Sequence, residues 1–317
     1  MEVGLDVGGT SAKAWVVTGA PGARRVGAGV ERTWGGFDPP SLDEQLAGAP
    51  RATDERAAAA RLVATAAEAV AALVRGGDTD GDEAPASGPA RSALARLGVA
   101  AAGPKTTDGR GVALWRRGPR MPRFLDELLA ALAARGITPA APVEALVDDS
   151  VAAVLGERLA AGGALRDVED ALYLGPGTDL AEAWLVSGVA GPRPEGLPAP
   201  WELVDGPMDP SEPLPGDPVV VRTLATFGDT IRLGADVDLP ASFRALGRLA
   251  GQRRAATAAL GLAPPARLVV GARGGALVAG EPILARAIDE GLAAAGAADL
   301  PWVASTLRAA PAIGALG

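Results

Sequence analysis

The chain has 317 residues, enough for one large domain or two ordinary ones and for a substantial buried core. Apolar residues make up 48% and charged ones 21%, a globular balance, and a net charge of −8 leaves no bulk basic surface for a nucleic-acid partner. There is no cysteine and no histidine, which excludes disulfides, thiolate metal sites and imidazole catalysis and leaves carboxylates to move protons.

The first element is the stretch from Val3 to Val17. Val3, Leu5 and Val7 alternate with Gly4 and Asp6, the period of a strand. Gly8-Gly9 reads as a tight turn whose residues can take positive φ, followed by a returning strand. Asp6 sets a carboxylate before the bend, Thr10 and Ser11 add hydroxyls after it, and Lys13 comes next on the second strand. Such a bend gathers backbone N–H groups into a concavity that suits a phosphate, although Gly-Gly alone serves equally well in a plain hairpin. The chain opens directly on this strand without a basic-then-apolar leader, and no apolar run is expected to span a bilayer. A cytoplasmic protein without a membrane partner is therefore expected.

Trp34-Gly35-Gly36 is a breaker. A helix is expected over 53–75, with Thr53 as cap, Leu62, Val63, Ala66, Val70, Leu73 and Val74 as its buried stripe, and Gly76-Gly77 as its end. Residues 76–91, acidic and rich in Gly, Pro and Ser, read as an exposed loop. Leu97 to Pro104 reads as a buried strand running into a turn, Val112 to Arg117 as another strand, and Pro122 to Gly136 as a helix with Phe124, Leu125, Leu128, Leu129 and Leu132 inward. From Val143 to Glu157 a short strand delivers Asp148 and Asp149 to the start of a helix. Acids there also cap a helix by bonding its orphan N–H groups, so capping and catalysis are both open, and they are compatible.

Leu172 to Val186 repeats the opening pattern of strand, glycine turn (Gly175-Pro176-Gly177-Thr178-Asp179) and strand. Val189 to Pro218 is irregular and holds Trp201-Glu202. Residues 239–260 read as a long helix with Arg244, Arg248, Arg253 and Arg254 on a solvated face. Arg267 to Leu277 is a strand entering a Gly-rich turn (Gly271, Gly274, Gly275). Pro282 to Ala295 is a helix packed through Ile283, Leu284, Ala287, Ile288 and Leu292, and Trp302-Val303 and Ala312 to Ala315 form a last strand and turn.

Leu5-Asp6-Val7-Gly8-Gly9-Thr10, the Asp148-Asp149 pair with Leu155-Gly156-Glu157, the second glycine hairpin, the Gly271–Gly275 turn and the terminal Gly-Ala come in one order. With that order the chain resembles, over essentially its full length, the ROK family of bacterial sugar kinases and sugar-responsive repressors. The resemblance implies an α/β, two-domain actin-like ATPase (ribonuclease H-like) fold with an interdomain cleft, a small domain over 1–118 and a larger one over 119–317. It implies ATP and Mg²⁺ as cofactors, with Asp6 at the metal, Gly8, Gly9, Thr10, Lys13, Gly177 and Thr178 at the phosphates, and Gly271, Gly274 and Gly275 at the adenosine. Asp149 stands at the general base, and Asp148, Asp149 and Glu202 at the acceptor.

The departures are specific. Lys105 and Asp179 stand at family glycines, and Asp148 at an asparagine. The family's histidine element and cysteine zinc knot have no counterpart here, so no zinc is expected. Trp201-Glu202 after a proline-rich stretch resembles a zinc-less subgroup that includes kinases of seven-carbon cyclitols. The resemblance thus implies a kinase for a sugar or cyclitol hydroxyl, a small-molecule acceptor and a homodimer. With only two residues before the first loop, a DNA-binding head is not expected. The alternative is a catalytically impaired ROK-like sugar-binding protein.

Overall fold

The computed structural model describes residues 1–35, 37–76, 93–177, 180–197 and 239–317. They separate into two compact units, 1–162 with 309–317, and 163–308. The boundary expected at 118 therefore differs from the structural one, for a physical reason. Helix α3 (Phe124–Ala133) packs on α2 (Thr53–Arg75), and strand β5 (Val147–Asp148) pairs with β4 (Arg96–Ala101), so residues 119–162 stay with the first unit.

The first unit is a five-stranded sheet in the order β3-β2-β1-β4-β5. β1 (Glu2–Val7), β2 (Ser11–Thr18) and β3 (Arg25–Thr33) form an antiparallel meander, while β4 and β5 run parallel to β1. α2 lies on this sheet and buries the whole expected stripe, Leu62 to Val74. Its end is as expected, with Gly76 left-handed at φ 69°, but its start is not: Ala52 is the N-cap and Thr53 is already helical. By length and apolar composition α2 could cross a bilayer, contrary to the sequence expectation, yet most of that apolar stretch is buried in this core. A short helix, α1 (Leu42–Leu46), precedes it, closed by a Ser41/Glu44 capping box absent from the sequence expectations. Val112 to Arg117 forms no strand. Val112 makes isolated bridges to Lys105 and Met121, and Gln45 Oε1 accepts from the Trp115 N–H at 3.0 Å, so the segment is held as a loop.

That loop ends on a buried ion pair. Arg120 donates to Glu55 through its backbone N–H, Nε and Nη2 at 2.9, 2.8 and 2.7 Å, and Glu55 is fully buried. Burial pushes the Glu55 carboxyl up, but the bonds and charge of Arg120 outweigh it and hold it below the usual range. Glu55→Gln is expected to cost about 3 kcal/mol at pH 7, because the guanidinium is left buried without its countercharge. A depressed carboxyl contributes stability above its unfolded pKa and loses it as pH falls. The deficit, read from urea midpoints, therefore shrinks toward zero below about pH 4.

The second unit repeats the topology. Its sheet order is β10-β9-β6-β7-β8, with β6 (Ala171–Pro176), β7 (Leu180–Val186) and β8 (Val189–Pro192) as the meander and β9 (Arg267–Val270) and β10 (Trp302–Ala304) parallel to β6. Among the described residues it also holds helices α5 (Leu239–Thr257), α6 (Ala272–Gly280) and α7 (Pro282–Ala294). The arginines of α5 are not simply solvated. Arg253 is buried against Glu182, Arg244 pairs with Glu290, and Arg254 with Asp299. On α7, Leu284, Ala287, Ile288 and Leu292 are buried as expected, but Ile283 is exposed.

The last strand expected at Trp302-Val303 is β10, but the turn expected at Ala312 to Ala315 is instead helix α8 (Ala310–Gly314), which packs in the first unit against α4 (Asp149–Leu159), β1 and β4. Glycine makes this seat. Gly4 and Gly98 are register partners on β1 and β4, and a Cβ on them would lie 1.9 Å from Ala312 O and 2.2 Å from Ala315 O.

Candidate functional site

Three parallel strands of the first unit end at one edge, with Val7, Ala101 and Asp148 in register. The segments leaving these strands therefore converge: Gly8-Gly9-Thr10 after β1, Gly103-Pro104-Lys105 after β4, and Asp149 at the start of α4 after β5. The carboxyl ends of parallel strands are where α/β sheets place ligands. Neither Gly8 nor Gly9 takes a positive φ. Close approach constrains Gly9 instead, since a Cβ there would lie 3.0 Å from Arg117 O and 3.2 Å from Arg117 Cβ, and Arg117 would have to give by a few tenths of an ångström. The Gly8 N–H bonds to Ser11 O at 2.9 Å, while the N–H groups of Gly9 and Thr10 have no partner among the described residues.

The carboxylates at this edge repel one another. Asp6 is pushed up to about 6, chiefly by burial, with Lys13 across the ladder pulling it down and Glu31 pushing it up. Lys13 itself lies 3.7 Å from Glu31. Asp149 is pushed up to about 7 by burial, then by Asp148, then by Asp6, while Lys105 opposes the shift. The two acids at the helix start divide the labour. Asp148 is the cap, its Oδ1 accepting from the Ser150 N–H at 3.1 Å and from the Ser150 hydroxyl, and its Oδ2 lies 3.5 Å from Lys105 Nζ. Both oxygens of Asp148 thus have partners, and the half-buried Asp149 carries the raised proton affinity.

Lys105 also donates to Ala101 O at 2.8 Å and to Gly103 O. In sequence it is only a departure from glycine, yet a signal is there. The chain contains two lysines, Lys13 and Lys105, and both lie in this cluster.

In the second unit Leu174, Val270 and Ala304 are in register, so Gly177, Gly271 and Ser305 lie just beyond one sheet edge. The three glycines expected at adenosine are needed for packing within the unit. A Cβ on Gly271 would meet Tyr173 Oη at 2.2 Å, on Gly274 Pro176 Cγ at 2.2 Å, and on Gly275 Ser305 O at 2.2 Å. All three are buried; at the start of α6 the exposed residues are Ala272, Arg273 and Ala276, and Ala272 is held at φ 51°. Thr178, Asp179 and Glu202 lie outside the described residues. Among the described residues no group of three or more acidic side chains is disposed to hold a metal ion by itself.

A meander with two parallel strands added, present once in each unit, defines a two-unit α/β protein of the actin-like ATPase fold. Within that fold the solved structures it matches include ROK family proteins. A ROK family glucokinase from Streptomyces griseus, in complex with glucose and AMPPNP, superposes with a TM-score of 0.56 at 18% identity, over 99% of this chain and 97% of the other. A ROK hexokinase from Thermus thermophilus gives 0.55 at 22% identity, over 99% and 95%. A ROK family transcriptional regulator, homologous to the E. coli Mlc protein, gives 0.54 at 12% identity, over 99% of this chain and 76% of the other. No protein-family model matches the chain, and no curated protein matches it significantly.

Proposed function

We propose that the protein is a ROK family kinase that transfers the γ-phosphate of ATP to a hydroxyl of a sugar or cyclitol. The observation that carries the reading is Asp149, its carboxyl pushed up to about 7 at the edge where the Gly8-Gly9-Thr10 turn also lies. Such a carboxylate takes a proton from an alcohol better than an ordinary aspartate and is still ionised just above neutrality. Asp149 accepts the proton of the attacking hydroxyl. The remaining work of phosphoryl transfer is positioning and charge neutralisation. In the first unit the N–H groups of Gly9 and Thr10, without partners among the described residues, hold phosphate oxygens, with Gly8 closing the bend and Lys13 balancing Asp6. In the second unit Gly177 and Thr178 take phosphate, while Gly271, Gly274 and Gly275 bring the start of α6 to the adenosine.

The donor chemistry fits Mg²⁺. Repulsion among Asp6, Asp148 and Asp149 is what a divalent cation relieves, and one or two carboxylates plus phosphate oxygens are an ordinary set for it. Asp6 would hold the ion jointly with the nucleotide, and the ion when bound would neutralise triphosphate charge. Asp149 and Glu202 bind acceptor hydroxyls, together with Asp148, which also fixes the helix start at Asp149. The cyclitol option rests on the Trp201-Glu202 resemblance.

A second reading, a catalytically impaired sugar-binding protein, is favoured by Lys105, whose charge reduces the proton affinity of Asp149. ADP release with ATP and Mg²⁺, measured across a panel of hexoses and cyclitols, separates the two. At least one acceptor is expected to raise release well above the acceptor-free rate. Binding of an acceptor by calorimetry with no ADP released from any would favour the second reading.

A further inference from the structure

Trp34 is buried at the end of β3 and, among the described residues, donates two hydrogen bonds, both to the Gly8-Gly9-Thr10 turn. Its indole N–H donates to Gly8 O at 3.2 Å, and its backbone N–H donates to Thr10 O at 3.3 Å. A phosphate-binding bend has a built-in weakness, because every peptide that offers an N–H also carries a carbonyl oxygen that repels phosphate. In a trans peptide the C=O and the adjoining N–H point in opposite directions. A bond that holds Gly8 C=O toward Trp34 therefore aims the Gly9 N–H away from it, and that N–H has no partner among the described residues.

We propose that Trp34 is a positioning residue for nucleotide phosphate, its indole engaging the Gly8 carbonyl oxygen so that the Gly9 N–H faces the ligand. The proposal rests on the ATP-binding reading above. Position 34 needs more than an apolar ring: phenylalanine fills most of the space but cannot hold the Gly8–Gly9 peptide plane. Trp15, on β2 of the same sheet, makes a useful contrast. Its ring covers Gly29, where a Cβ would lie 2.3 Å from it, and it makes no hydrogen bond to the turn among the described residues.

The test is calorimetric titration of ATP with Mg²⁺ into the wild-type protein, Trp34→Phe and Trp15→Phe, with melting temperatures recorded alongside. The loss of one hydrogen bond that orients a phosphate donor is expected to weaken ATP binding about 5- to 10-fold in Trp34→Phe. Trp15→Phe stays within twofold of wild type, and acceptor affinity is unchanged in both. Should Trp34→Phe fold poorly, a benzothienylalanine at position 34 keeps the bicyclic shape, replaces N–H by sulfur and is expected to give the same loss. ATP affinity within twofold of wild type in a folded position-34 variant overturns the proposal, as does equal weakening of ATP and acceptor, which is the mark of a merely structural role. Wild-type protein that binds no ATP overturns the function above and this inference with it.

Discussion

Asp149→Asn is expected to lower phosphoryl transfer by about 10²- to 10⁴-fold while ATP binding stays within a few-fold of wild type. The asparagine keeps the shape and the helix start, because the capping oxygen belongs to Asp148, but it cannot accept the acceptor's proton. On the kinase reading, the unmutated protein should show kcat/KM rising with pH up to about 7 and level above, since that constant reports the free protein's carboxyl. Stability moves the other way. A carboxyl raised from 3.8 to about 7 binds more protons folded than unfolded between those values, so the wild type loses stability as pH rises through that window. Three units would be about 4 kcal/mol at most, and partial exposure lowers this to about 2 kcal/mol. Asp149→Asn should therefore melt higher than wild type at pH 8 and equally at pH 4. Full turnover in the variant would remove Asp149 as the base, and a lower melting point at pH 8 would show that the acid serves the fold.

The parts legible from sequence are those governed by neighbouring residues. The alternation of Val3, Leu5 and Val7 defines β1, the stripe from Leu62 to Val74 and the left-handed Gly76 define α2, and the repeated glycine hairpin anticipates the duplicated sheet. The parts that escape depend on contacts distant along the chain. Nothing local says that Arg253 has Glu182 as a partner, or that Gly271, Gly274 and Gly275 are there to admit Tyr173, Pro176 and Ser305. Gly9 invites an explanation through φ and is explained by Arg117, more than a hundred residues later. The site shows the same division. Asp6 and Asp149 stand out in sequence because each adjoins a turn or a helix start, whereas Trp34 has the sequence signature of a breaker and owes its role to an indole on Gly8 O. Lys105, an apparent defect in a motif, is the cation facing Asp148.

Gly156→Ala is expected to destabilise the first unit by about 1–2 kcal/mol or more, the reverse of what its place in a helix suggests. Inside an exposed helix, glycine to alanine gains about 1 kcal/mol in backbone propensity. At position 156 the new Cβ would lie 2.0 Å from Ala310 O, and across the same contact a Cβ on Gly314 would lie 1.8 Å from Ala152 O. Both obstacles are backbone carbonyls that no rotamer change can move, so α4 and α8 must separate, and overpacking of this kind costs about 1–3 kcal/mol or more. Gly162 supplies the control, because its added Cβ would meet nothing within 4 Å; Gly162→Ala should leave the urea midpoint nearly unchanged. The effect also reaches the chemistry. α4 begins at Asp149, two helical turns before Gly156, so pushing the helix off its seat moves the carboxylate away from Asp6 and the Gly8-Gly9-Thr10 turn. Gly156→Ala should then lose turnover even under conditions where it remains folded, since a misplacement of about 1 Å costs on the order of 10²-fold. A variant with wild-type stability would mean that the two helices do not meet as closely as these glycines require. Lost stability with wild-type turnover would mean that the position of Asp149 does not depend on the helix it begins.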